Sequence, residues 1–261
     1  MRTLVSNPLK EIAGEVDLRP GNDLGRKHPK GAKMVILSNP ITLSEELDRD
    51  MNRMAVATIC LENNILILSD EIHSDLVLPG HHHTPVASLS EEIAGITVTC
   101  IAPSKTFNLA GLATSSVIIS DSDTRARFNR MVEKLHVGMG NLMGAEASIA
   151  AYTYGDEWLD QLLAYIKNNA EFVVDFCRQN LPVIKPVMPE ATYMIWLDCR
   201  QMGMEPAELN RFFIEKAGLG LNEGSTFGAG GSGYMRMNLA CPFNTVREAM
   251  KRLSDAVLTI K

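Results

Sequence analysis

Three residues of this chain pair a charged or reactive side chain with a position at or beyond an apolar run. Asp70 closes the run Ile65-Leu66-Ile67-Leu68-Ser69. A carboxylate at the rim of a buried sheet needs an N–H or cationic partner, because burying it unpaired is costly. Capping a helix N-terminus is the competing use of an aspartate there, and spacing alone favours it. Lys105 sits in Ala102-Pro103-Ser104-Lys105-Thr106-Phe107-Asn108, just past the run Thr97-Val98-Thr99-Cys100-Ile101. A desolvated lysine amine near a carboxylate is a nucleophile; an exposed loop lysine is the plainer alternative. Arg236 lies between Met235 and Met237. Its planar fork suits a carboxylate, supplied equally well by a ligand or by an internal salt bridge.

These positions matter because ligands of open α/β sheets gather at the carboxyl ends of strands. The runs that would place them are short and β-like. Lys33-Met34-Val35-Ile36-Leu37-Ser38 is closed by Asn39-Pro40. A helical pattern comes next, capped by Thr42 or Ser44, with Glu45 and Glu46 in its first turn. Leu47, Met51, Met54, Ala55 and Ile59 share one face, and Asn63-Asn64 ends the pattern. The run from Ile65 to Leu68 is continuously apolar, as in a strand covered on both faces. Thr97 to Ile101 and Ser115 to Ile119 read as further strands. The order predicts an α/β sheet, mainly parallel. Beyond Ser120 the chain turns helical, with a long amphipathic helix over 157–179. A smaller α+β unit comes after it, so the predicted domains are 1–170 and 171–261.

The chain has 261 residues, a formal net charge of −6 and 46% hydrophobic residues. The acidic balance argues against a nucleic-acid or anionic-membrane partner. No apolar run reaches the length of a membrane span. The five cysteines are scattered without metal or disulfide spacing, which predicts reduced, buried thiols and a cytoplasmic protein. His81-His82-His83, between Pro79-Gly80 and Thr84-Pro85, reads as a surface loop, and no metal site is expected. Gly224 to Gly233 lacks phosphate-loop spacing.

Taken together, Ser69-Asp70-Glu71-Ile72-His73-Ser74-Asp75-Leu76 and Ala102-Pro103-Ser104-Lys105-Thr106-Phe107-Asn108-Leu109-Ala110-Gly111 resemble the fold-type I pyridoxal 5′-phosphate (PLP) enzymes. The superfamily is that of the class I/II aminotransferases, and the wording points to its C–S β-lyase branch of cystathionine β-lyase and cystalysin-like proteins. The resemblance implies a PLP-transferase-like, mainly parallel sheet in a partial large domain, with a small α+β C-terminal domain. It implies that Lys105 holds PLP as a Schiff base and moves the substrate Cα proton. Asp70 would pair with the ring nitrogen, His73 would lie near the cofactor's 3-oxygen, and Ser104 would contact the phosphate. Arg236 would clamp the substrate α-carboxylate. The implied reaction splits a cysteine S-conjugate into a thiol, pyruvate and ammonia, and the implied assembly is a homodimer. Transamination begins with the same proton abstraction and stays open as the alternative.

Two departures from the family pattern accompany the resemblance. Family members are about one and a half times as long, and this chain is expected to lack their N-terminal arm, phosphate-cradling glycine turn and ring-stacking aromatic. After Asn39-Pro40 the second Asn-Pro-x-Gly turn, whose Asn reaches the 3-oxygen, has no counterpart. An inactive, truncated fragment is therefore a second alternative.

Overall fold

Burial alternates along residues 34–38 and 66–70, while residues 97–99 are buried in succession. The computed structural model describes residues 10–12, 15–17, 32–40 and 49–260. The first described element is an antiparallel hairpin of β1 (Lys10–Ile12) and β2 (Glu15–Asp17). Next come β3 (Met34–Ser38), α1 (Arg49–Glu62), β4 (Leu66–Asp70), α2 (Glu91–Gly95) and β5 (Thr97–Ile101). After these come α3 (Pro103–Thr106), β6 (Ser116–Ile119), α4 (Ser122–Lys134), α5 (Leu142–Tyr154) and α6 (Asp156–Asn180). The described residues fall into two compact units, one holding 32–40 and 49–162, the other 10–12, 15–17 and 163–260.

In the first unit the sheet order is β3-β4-β5-β6. Strands β3, β4 and β5 run parallel, and β6 is antiparallel to β5. The mainly parallel sheet is thus as expected, with a reversed final strand that the apolar pattern of Ser115 to Ile119 did not distinguish. One sheet face is closed by α1, α2 and the turn at Val86, which bury Ala57, Cys60, Ile65, Ile67, Val86 and Ile93 together. The strand period of two puts alternate residues on the other face, where Met34 is 45% exposed and Ile36 62%. Leu66 and Leu68 are only half-buried, so the expected cover on both faces of β4 is not present among the described residues. The α1 face also differs from the expected one. Met54 is exposed, and the small residues Ala57 and Cys60 turn inward, letting the helix lie close to β4. The expected Thr42 or Ser44 cap lies outside the described residues.

The second unit is an antiparallel sheet in the order β7-β8-β10-β9, from β7 (Lys185–Val187), β8 (Met194–Asp198), β9 (Asn222–Glu223) and β10 (Tyr234–Asn238). Between β8 and β9 lies α7 (Pro206–Arg211), continued by a π-helical turn that buries Phe212 and Phe213. The last helix, α8 (Phe243–Val257), buries Val246, Met250, Leu253 and Ala256, one stripe at helical spacing. They share a core with Ala170, Val173 and Cys177 of α6. Asn169 is buried beside that core and donates from Nδ2 to the carbonyls of Leu239 (3.0 Å) and Cys241 (3.2 Å).

All five cysteines are free. Cys60, Cys177 and Cys199 are buried, Cys100 and Cys241 half-buried. Burial pushes the Cys60 thiol up to about 11 and that of Cys177 to about 12, which keeps both protonated and unreactive. Among the described residues no helix is long and apolar enough to cross a membrane.

The histidine triplet does not lie wholly on the surface. His81 and His82 are exposed, but the His83 side chain is turned inward against Glu71. Glu71 is 1% exposed. It accepts from Ser69 Oγ (2.8 Å) and from the Val86 N–H (3.1 Å), and its Oε2 lies 2.9 Å from His83 Nε2. Burial raises this carboxyl's pKa, but the bonds from His83, Ser69 and Val86 outweigh it and hold Glu71 below the usual carboxylate range. The ionised carboxylate accepts, so His83 donates.

Unfolding measurements can weigh both buried polar groups. Asn169→Leu removes the side-chain donor from both carbonyls, of which Leu239 keeps its bond from the Cys241 N–H (2.8 Å), and is expected to cost about 2 kcal/mol in urea unfolding at neutral pH. Glu71→Gln keeps an acceptor for Ser69 and Val86 but sets an amide NH2 against the donor His83, and is expected to cost about 1–3 kcal/mol. Because the folded pKa of Glu71 is depressed, its contribution is complete above the unfolded value of roughly 4.3. That contribution fades as pH falls through the lower folded value, so the gap between wild type and Glu71→Gln should close in acid. A gap that stays constant down to acid unfolding would contradict the assignment.

Candidate functional site

The carboxyl edge of the parallel strands is held in register by backbone bonds that run past the strand ends. The Asn39 N–H donates to the Asp70 carbonyl and the Glu71 N–H to the Cys100 carbonyl, each at 2.9 Å. Asp70 pairs with Ser38 on one side and Cys100 on the other. Asn39, Asp70, His73, Ser104 and Lys105 therefore belong to one edge of one sheet.

Asp70 does not cap a helix. Residues 72–75 form a turn, and no helix intervenes before Val86. Its Oδ1 accepts a 3.3 Å bond from the Ile72 N–H, a weak tie that leaves most of the carboxylate's acceptor capacity open. Its charge is felt by the neighbouring strand. The Cys100 thiol pKa is raised by burial first and by Asp70 second. His73, half-buried in the turn, accepts the Leu76 N–H at its carbonyl.

Lys105 lies in α3, a single turn that begins at the buried Pro103. A proline suits this first position, where no intrahelical N–H is needed. The Lys105 side chain is exposed and makes no ion pair among the described residues. Ser104 is half-buried, and its carbonyl accepts the Leu109 N–H at 3.0 Å. Asn39 is the polar group that attention to charge missed. Its Nδ2 is buried without a hydrogen-bond partner among the described residues. The signal available was its place, directly after the β3 run.

Arg236 belongs to the second unit. It lies on β10 between the buried Met235 and Met237, so it points to the opposite face. Its guanidinium sits 4.1 Å over the Phe227 ring and donates to Asn222 Oδ1 at 3.1 Å. It forms no ion pair among the described residues, so an internal salt bridge is not its role there. Desolvation lowers its pKa, with Tyr193 opposing.

An exposed amine, a lightly held carboxylate and an unsatisfied amide at one sheet edge suit a planar ligand with an aldehyde, a ring nitrogen and a phenolic oxygen. Among the described residues no group of three His, Cys, Asp or Glu side chains is placed to hold a metal ion.

Comparison with known proteins gives the family of the chain. The model of the family "Aminotransferase class I and II" matches residues 47–253. Cystathionine beta-lyase PatB of Bacillus subtilis (strain 168) is 39% identical over 257 residues, covering 98% of this chain and 66% of that protein. The crystal structure of cystalysin from Treponema denticola, which contains a pyridoxal 5′-phosphate cofactor, superposes with a TM-score of 0.87 at 34% identity. That match covers 97% of this chain and 64% of cystalysin. A PLP-bound C–S lyase from Staphylococcus hominis gives 0.84 at 26% identity, covering 98% and 66%. This chain thus spans just under two thirds of the length of these relatives. With the family pattern running from α1 into α8, the chain belongs to the aminotransferase class I and II family.

Proposed function

We propose that this chain carries the lysine-bearing part of a PLP-dependent C–S β-lyase acting on cysteine S-conjugates such as L-cystathionine. The observation that supports it most is the convergence of Lys105, Asp70 and Asn39 at one sheet edge with their side-chain polar groups largely unspent. PLP would bind there, and when bound it supplies an electron sink for negative charge at the substrate Cα. Lys105 Nζ would hold the cofactor's aldehyde carbon and would serve as the base that takes the substrate Cα proton. The Asp70 carboxylate would keep the ring nitrogen protonated. His73 would face the 3-oxygen, and the Ser104 hydroxyl would contact the phosphate. Arg236, with no carboxylate partner of its own among the described residues, binds the substrate α-carboxylate.

Loss of a thiolate from Cβ and hydrolysis of the remainder consume one water and give a thiol, pyruvate and ammonia. The lyase outcome is favoured over transamination by likeness to cystathionine beta-lyase PatB and cystalysin. A homodimer belongs to the same proposal. Met131, Met139 and Met143 do not enter the core but are exposed by 54%, 95% and 67%, an apolar surface suited to a second copy.

The test is direct. Saturating PLP should produce a visible absorbance band, abolished by Lys105→Ala together with a fall in turnover of at least about 10³-fold. L-cystathionine should yield pyruvate without an added keto acid. Amino transfer that requires a keto acid would assign the aminotransferase instead, and no band with wild type would remove the enzyme reading for this chain.

A further inference from the structure

Helix α3 is too short to fix its own direction. An isolated turn of four residues is unstable without tertiary anchors. Its first and last residues supply them. Pro103 and Thr106, three apart and hence on one helix face, are both buried, and Lys105 between them is exposed. Thr106 is 1% exposed, and its Oγ1 donates to Asp75 Oδ2 at 3.1 Å. The same Asp75 oxygen accepts from Tyr152 Oη of α5 at 3.3 Å. The next residue, Phe107, packs edge-on against the Tyr152 ring, with centroids 5.6 Å apart, and lies 5.8 Å from Trp158.

Asp75 also sits in the turn of residues 72–75 that follows Asp70. The span from Asp70 to Asp75 is short and pinned internally, by Ser74 N–H to the Glu71 carbonyl and Leu76 N–H to the His73 carbonyl, both 2.9 Å. A bond from that turn to the residue beside Lys105 therefore couples the directions of the Asp70 carboxylate and the Lys105 amine.

We propose that Asp75, Thr106 and Tyr152 are positioning residues that set the direction of Lys105 relative to Asp70. This rests on the reading of Lys105 as the PLP lysine. Asp75 is the hub, since its one oxygen serves both hydroxyls. Tyr152 remains a donor over the whole working range. Burial, and then the charge of Asp75 and the bond to it, push its hydroxyl up to about 12. Thr106 carries the tie to α3, and Tyr152 braces Asp75 from the side.

The experiment measures two properties of the whole chain with PLP. One is the rate at which Lys105 condenses with the PLP aldehyde, losing one water, scored after borohydride delivers hydride to the new carbon–nitrogen double bond. The adduct is mapped to Lys105 by mass spectrometry. The other is the visible circular dichroism per bound cofactor, which reports how the ring is held. Thr106→Val, isosteric but without the hydroxyl, and Asp75→Ala should each slow condensation by about tenfold or more and change the dichroism. Thr106→Ser should return both to within about twofold of wild type. Tyr152→Phe should have a smaller effect in the same direction. Wild-type rates and dichroism in Thr106→Val and Asp75→Ala overturn the proposal, even where their melting temperatures fall, because the bonds would then serve stability alone. Absence of a Lys105 adduct in wild type overturns both this proposal and the PLP reading; an adduct in wild type with indifferent variants overturns only this one.

Discussion

The register of β4 against its two parallel neighbours is the constraint on which the candidate site depends. Side chains alternate across a strand, so a slip of one residue would send Asp70 to the opposite face. The ladder pairs Asp70 with Ser38 and Cys100 and continues beyond the strands through the Asn39 and Glu71 N–H groups. Glu71 then fixes the path of the chain beyond β4. Its carboxylate is buried under Val86 and His83, which pins the chain leaving the strand to a segment more than ten residues ahead. Two adjacent acids thus divide the work: Glu71 spends its acceptor capacity on the protein, and Asp70 keeps most of its own.

How much of this the sequence disclosed depends on the range of each interaction. The strands at Met34, Leu66 and Thr97 were legible because apolar runs between turn residues are local signals. The placing of Asp70 and Lys105 came from those runs. The direction of β6 did not, since its pairing with Val98 to Ile101 is set by the intervening path of the chain. His83 was read from its glycine- and proline-flanked neighbourhood as a surface residue, yet its partner lies twelve positions away. Asn39 escaped notice because an uncharged amide draws attention only once its surroundings are known to be closed. The bond between Tyr152 and Asp75 joins residues 77 apart, and no spacing rule reaches that far.

Arg236 shows the limit of reading polar residues against apolar neighbours. Alternation along β10 sends the flanking Met235 and Met237 into the core and the guanidinium to the other side. There it finds an aromatic face and a neutral amide, surroundings that orient a cation without neutralising it. The charge therefore survives folding, at the expense of some desolvation.

The bonds from Asn169 to Leu239 and Cys241 carry a consequence for the order of folding. They span 70 and 72 residues, and the stripe of α8 that fills the same core lies further on. Residues 163–180 can form a helix early, and its inner face shares one core with Ile195, Leu197, Leu209 and Phe213, a core that Met235, Met237 and the stripe of α8 complete. That core is therefore completed only once β10 and α8 are in place. The β3–β5 sheet needs only contacts made within residues 34–119 and can assemble while the rest of the chain is still unstructured.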